Sequence, residues 1–90
     1  MYYELHVTML TGIGEPEART KYIRWKYSAI DSDPDLGEGV RCYATKHVHA
    51  SVPVQTVIGI LEEAMTRLSE LGCCVVRGKV EHILYDRRKK

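Results

Sequence analysis

Ninety residues, 44% of them hydrophobic and 28% charged, are enough for one globular domain, because a chain this short buries only about 60 to 65% of its unfolded surface and cannot divide that between two cores. The formal charge of +1 supplies no global field to draw the chain onto nucleic acid, and no run reaches the roughly 18 apolar residues of a membrane-spanning helix. The opening Met1-Tyr2-Tyr3-Glu4 lacks the basic-then-apolar order of a secretory signal, so a cytoplasmic location is expected. With Cys42, Cys73 and Cys74 odd in number and two of them adjacent, reduced thiols are expected rather than a disulfide framework.

Along residues 2–9, Tyr3, Leu5, Val7 and Met9 alternate with Tyr2, Glu4, His6 and Thr8, which predicts a half-buried strand. Gly12, Gly14 and Pro16 then break the pattern, giving a loop with one turn of helix at most. From about Lys21 to Ile30, aromatic and β-branched residues set Ile23, Trp25, Tyr27 and Ala29 against Arg24, Lys26 and Ser28, a second strand. Asp31 to Gly39 is turn chemistry. Its Asp31, Asp33 and Asp35 mimic the first ligands of a calcium loop, but Leu36 stands where glycine is needed and Cys42 where the bidentate glutamate belongs. A third strand follows over 40–48, with Val40, Cys42, Ala44 and Val48 opposed to Arg41, Tyr43, Thr45 and His47.

The clearest element is a helix from Pro53 to Leu71, where Val54, Val57, Ile58, Leu61, Met65, Leu68 and Leu71 recur at spacings of three and four. Ser51 is expected to cap it and Gly72 to end it, with Glu63 and Arg67 as an exposed i, i+4 pair. Gly59 is expected where helix and sheet come close. A last strand spans about Cys73 to Asp86, with Val76, Val80, His82 and Leu84 on one parity and Arg77, Lys79, Glu81, Ile83 and Tyr85 on the other. The domain then covers residues 1–86, and 87–90 form a basic tail.

The order strand, loop, strand, strand, helix, strand resembles the ferredoxin-like α+β sandwich with its first helix shortened or lost. A simple ββ-βαβ arrangement is the alternative. Either way a small, mostly antiparallel four-stranded sheet carries one amphipathic helix on one face, and its other face presents Glu4, His6, Thr8, Arg41, Tyr43, Thr45, His47, Arg77, Lys79, Glu81 and Tyr85. Tyr, His and Arg are favoured at binding hot spots, so Arg41, Tyr43, His47, Arg77, Lys79 and Tyr85 are the expected ligand or partner contacts. Truncating Tyr43 or Arg41 is expected to weaken binding without lowering the thermal midpoint. A near-neutral charge and the absence of an RNA-recognition signature argue against nucleic acid.

His6-Val7-Thr8 is an H-x-T on a strand, with imidazole and hydroxyl on one face. It resembles the 2H phosphoesterases, in which two such motifs flank a phosphodiester, each histidine acting as acid or base and each hydroxyl binding phosphate. His49-Ala50-Ser51 is the nearest second motif and lies at the helix start, so a homodimer would have to pair two copies of His6 and Thr8. Neither C-x-x-C nor H-x-x-x-H spacing supports a zinc site, so no metal and no cofactor are expected. His82, on the apolar parity, is expected at the edge of the core, bonded to a neighbour. Gly12-Ile13-Gly14 lacks the lysine of a phosphate loop.

The stretch Trp25 to Pro34, the stretch Leu36 to His47 and the segment Lys79 to Asp86 (KVEHILYD), with the opening His6-Val7-Thr8, are similar to small proteins of bacteriophages and prophages to which no activity is assigned. That resemblance implies a phage-type accessory protein in the host cytoplasm. The expected function is therefore noncatalytic binding by a self-associating chain, of a host protein or of an anionic small molecule such as a nucleotide. The competing expectations are a dimeric phosphoesterase acting on cyclic or linear nucleotides through His6 and Thr8, and a purely structural role.

Overall fold

The alternating residues near the start form β1 (Tyr2–Leu10), with Leu5, Val7 and Met9 fully buried on one parity. In chain order follow α1 (Pro16–Tyr22), β2 (Lys26–Asp33), β3 (Gly37–His49), α2 (Val54–Glu70) and β4 (Val75–Ile83). This computed structural model describes residues 1–33 and 37–84. The centre of the expected Asp-rich turn, Tyr85 and the basic tail lie outside the described residues.

The sheet order is β2-β3-β1-β4, with every neighbouring pair antiparallel. This is the expected ferredoxin-like arrangement, and its first helix is shortened rather than lost. α1 has seven residues, where a single turn at most was expected. Pro16 fits the first turn of a helix because its missing N–H has no partner to lose there. Pairs Arg19–Glu15 and Lys21–Glu17, each at 3.4 Å, lie along the exposed side. Lys21 and Tyr22 thus belong to a helix and not to the second strand. Tyr22 and Ile23 carry strand-forming side chains, yet tertiary packing places them at the end of α1. Arg24, at φ 65°, turns the chain into β2, and the Trp25 N–H closes on the Thr20 carbonyl at 3.1 Å.

Helix α2 buries Val57, Leu61, Ala64 and Leu68 against the Leu5, Val7, Met9, Cys42 and Ala44 face of the sheet. Burying each large aliphatic side chain contributes about 1.5–3 kcal/mol. Gly72, at φ 101°, follows the helix as the spacing predicts. Its start differs: Pro53 is the N-cap and no side chain caps it. The Ser51 hydroxyl lies 2.7 Å from His49 Nδ1, and the Ser51 N–H donates to the same nitrogen at 3.0 Å. Among the described residues no Glu63–Arg67 pair forms; Arg67 stands 5.7 Å over the Tyr22 ring and ties the two helices together. Nor does Gly59 mark a close approach, since a Cβ there would meet nothing. That role falls to Gly78 on β4, which lies beneath Met65 and Leu61 of α2.

A bulge between Thr8 and Met9 shifts the β1–β4 register, so that Thr8 faces Arg77 while Met9 faces Val75. Two residues set against one exchange the faces beyond the bulge. Val75 therefore packs on the core and Val76 is exposed, opposite to the parity expected for Val76. No helix among the described residues is long and apolar enough to cross a membrane.

Candidate functional site

Both helices cover one face of the sheet, and the registers fix what stands on the other. Across β3, β1 and β4 the rows read His47, Glu4, Glu81; then Thr45, His6, Lys79; then Tyr43, Thr8, Arg77. On the outer side of β3, Lys26 and Ser28 of β2 extend the second and third rows. Arg41 ends the face opposite Leu10. Parity therefore brings together Glu4, His6, Thr8, Arg41, Tyr43, Thr45, His47, Arg77, Lys79 and Glu81 as expected. Tyr85 lies outside the described residues.

His6 sits at the middle of this face. Its Nδ1 is 3.1 Å from the Thr45 hydroxyl, and its Nε2 is 2.7 Å from Glu4 Oε1 and 3.6 Å from Glu81 Oε1. Glu4 reaches His47 Nε2 through its other oxygen, Oε2, at 3.2 Å. The ring of His47 lies 4.7 Å from that of Tyr2. Lys79 Nζ lies 3.4 Å from Glu81 Oε1. The imidazole is thus held at both nitrogens by groups from three strands.

Two of the expected site residues, Thr8 of the alternative catalytic pair and Tyr43 of the binding set, are buried. Thr8 is 1% exposed and Tyr43 9% exposed although both lie on the uncovered face. Arg41 and Arg77, both half-buried, bring long side chains to the same end of the face. The Thr8 hydroxyl of the H-x-T thus lies below the surface of that face. His49 is held by Ser51, away from His6. His82 is exposed and stacks on Tyr3 at 4.6 Å.

β3 runs on past the first residue of β2, because Lys26 faces Thr45 and nothing in β2 faces Lys46 to His49. At that corner lies a hollow of about 290 Å³ lined by Arg24, Lys26, Thr45, Lys46 and His47. Three full positive charges and an imidazole border it, and among the described residues no carboxylate lines it. Arg24 and Lys46 are absent from the expected contacts, since one is assigned to strand parity by sequence and the other falls on the helix-side parity of β3. Only the strand offset reveals that they meet. A second hollow of about 670 Å³ lies between the β1–α1 loop and α1, bordered by Thr11, Gly12, Gly14, Glu17, Lys21 and Tyr27 among others.

The thiols are free. Burial pushes the Cys42 and Cys73 thiols up from their ordinary range, and the Tyr27 phenol beside Cys42 is raised chiefly by burial as well. None of the three is poised as a nucleophile. Compared with protein-family models, curated proteins and solved structures, the chain gives no match.

Proposed function

We infer that this chain is a noncatalytic, self-associating binding protein that takes an anionic small molecule of the nucleotide class at an edge of the sheet. The observation that carries this reading is the hollow at the β2–β3 corner, where Arg24, Lys26, Lys46 and His47 converge. Cationic donors around an open concavity suit phosphate oxygens, since charge-assisted hydrogen bonds are the strongest available to such side chains. Its volume is near the lower limit of small-ligand sites, roughly 300 Å³, so a phosphate with its sugar fits better than an extended protein segment. That favours the anionic ligand over a host protein for a phage-type accessory role.

The test is calorimetric titration with mononucleotides, cyclic dinucleotides and inorganic phosphate in chelator-containing buffer. Arg24→Gly removes a guanidinium at a position whose φ of 65° suits glycine, and Lys26→Ala removes an exposed ammonium; each should weaken binding about tenfold. Absent binding, or binding equal in wild type and both variants, overturns the reading. Recovery of the nucleotide unaltered supports sequestration, whereas turnover that disappears in His6→Ala would establish the phosphoesterase instead. Light scattering after size exclusion tests self-association, and a monomer at all concentrations removes it.

A further inference from the structure

The centre of the uncovered face carries a second arrangement, distinct in chemistry from the cationic corner. Glu4 of β1 and Glu81 of β4 are directly opposed, and like charges facing each other across strands oppose sheet formation. His6, two residues along β1 on the same face, turns Nε2 toward both carboxylates. One donor atom from each of Glu4, His6 and Glu81 lies within 4.8 Å of the other two.

We propose that Glu4, His6 and Glu81 form a binding site for a divalent first-row transition-metal ion, such as Zn²⁺ or Co²⁺. Bonds of roughly 2.0–2.2 Å from an ion to imidazole nitrogen and carboxylate oxygen, set tetrahedrally, place donors roughly 3.4 Å apart, within the 4.8 Å that already spans the three donor atoms. An imidazole with two carboxylates suits borderline ions, whereas Mg²⁺ and Ca²⁺ prefer oxygen donors alone. The supports around the donors have the character of an outer coordination shell. Thr45 holds Nδ1 of His6, which orients Nε2 inward, and His47 holds the Glu4 oxygen turned away from His6. An ion at Nε2 takes the neutral ring with its proton on Nδ1, donated to the Thr45 hydroxyl oxygen, and only an imidazolium would release a proton to solvent as the ion binds. Three protein donors leave coordination positions directed away from the sheet, open to water or to an anionic group.

The test uses the full chain after chelator treatment, in phosphate-free buffer, titrated with Zn²⁺ by calorimetry and with Co²⁺ by visible absorption. The expected result is one ion per chain, no thiolate-to-cobalt charge-transfer band, and at least tenfold weaker binding in Glu4→Gln and Glu81→Gln. Glu81, 41% exposed on the edge strand β4, is the variant that keeps the fold, and circular dichroism verifies that it does. Thr45→Val, which removes the hydroxyl from Nδ1, should weaken the ion less than loss of a donor does. Absence of binding at millimolar metal, binding unchanged in Glu81→Gln, or binding abolished by Cys74→Ser would each overturn the proposal. Because the nucleotide titrations are made in chelator and these without phosphate, either reading fails without the other.

Discussion

Replacing Gly14 with alanine tests how the β1–α1 loop seats against the end of α2, and Gly12 provides its control. Both glycines hold left-handed backbone, at φ 75° and φ 79°, so a Cβ at either costs about 1–2 kcal/mol in local strain, offset by about 0.4–1 kcal/mol from a less flexible unfolded chain. At Gly12 a Cβ meets nothing within 4 Å, whereas at Gly14 it collides with the carbonyl of Gly72 and the amide of Cys73. Those are backbone atoms that no rotamer moves aside. Overpacking of this kind adds about 1–3 kcal/mol, so Gly14→Ala should destabilise by about 2–4 kcal/mol and Gly12→Ala by about 1 kcal/mol or less. At about 4–8 °C per kcal/mol for a domain of this size, the midpoints should fall by roughly 10–25 °C and by less than about 8 °C. Urea unfolding followed by circular dichroism gives the free energies. Amide exchange at Leu10, whose N–H donates to the Cys74 carbonyl at 3.0 Å beside this contact, should quicken in Gly14→Ala alone. Two variants within about 0.5 kcal/mol of each other would refute the seating of the loop, since such a gap is the limit within which independent effects agree.

Four further outcomes follow from burial. Tyr43→Ala should cost about 2–4 kcal/mol of stability, read in urea, because the ring is 9% exposed; an unchanged midpoint would mean that Tyr43 lies open in solution. Thr20→Val should raise stability by about 1 kcal/mol, since the Thr20 hydroxyl is buried and has no hydrogen-bond partner among the described residues; a lower thermal midpoint would reveal a partner for it. Alkylation of the native protein should modify half-buried Cys74 first, with buried Cys42 and Cys73 reacting only on unfolding. Their raised pKa values set the sign with pH: the unfolded chain ionises first, so stability is full below the ordinary thiol value of 9.0 and declines as pH rises above it. Stability that increases over that range would contradict the burial of both thiols.

Period-two alternation fixed the faces of β1 and most of β3, because each buries one parity against α2 and a one-residue slip would expose Leu5, Val7 and Met9. The same logic placed Glu4 and His6 together, since i, i+2 residues share a face, while His47 joins them only through the β1–β3 pairing. It failed where a local device intervenes. The bulge at Thr8–Met9 reverses Val75 and Val76, and no residue type there announces it. Tyr22 and Ile23 look like strand residues, while the pairing of Glu15 with Arg19 and Glu17 with Lys21 that favours helix is equally plain in the sequence. Exposure on the polar face was also out of reach: Thr8 and Tyr43 have the right parity yet are buried. The cationic corner depends on where β2 begins relative to β3, a property of register that no single strand encodes.

The distribution of charge over the uncovered face bears on whether it serves folding or binding. A face arranged for stability alone would set opposite charges across neighbouring strands, each such pair contributing roughly 0.2–1 kcal/mol. This one instead opposes Glu4 to Glu81 in one row, and Lys26 at its β2 edge borders a hollow shared with Arg24 and with Lys46 of the opposite parity. Glu81 does meet His6 at 3.6 Å and Lys79 at 3.4 Å, but exposed pairs of that kind are worth about 0–1 kcal/mol and are screened by salt. Glu81→Gln removes those contacts together with the repulsion from Glu4, and the two effects are of similar size. In metal-free buffer the variant should therefore unfold within about 0.5 kcal/mol of wild type, the margin of an ordinary surface substitution. A loss of more than about 1.5 kcal/mol, beyond the range of an exposed pair, would make the carboxylate part of the sheet's own framework and withdraw the argument that the row is kept for an ion.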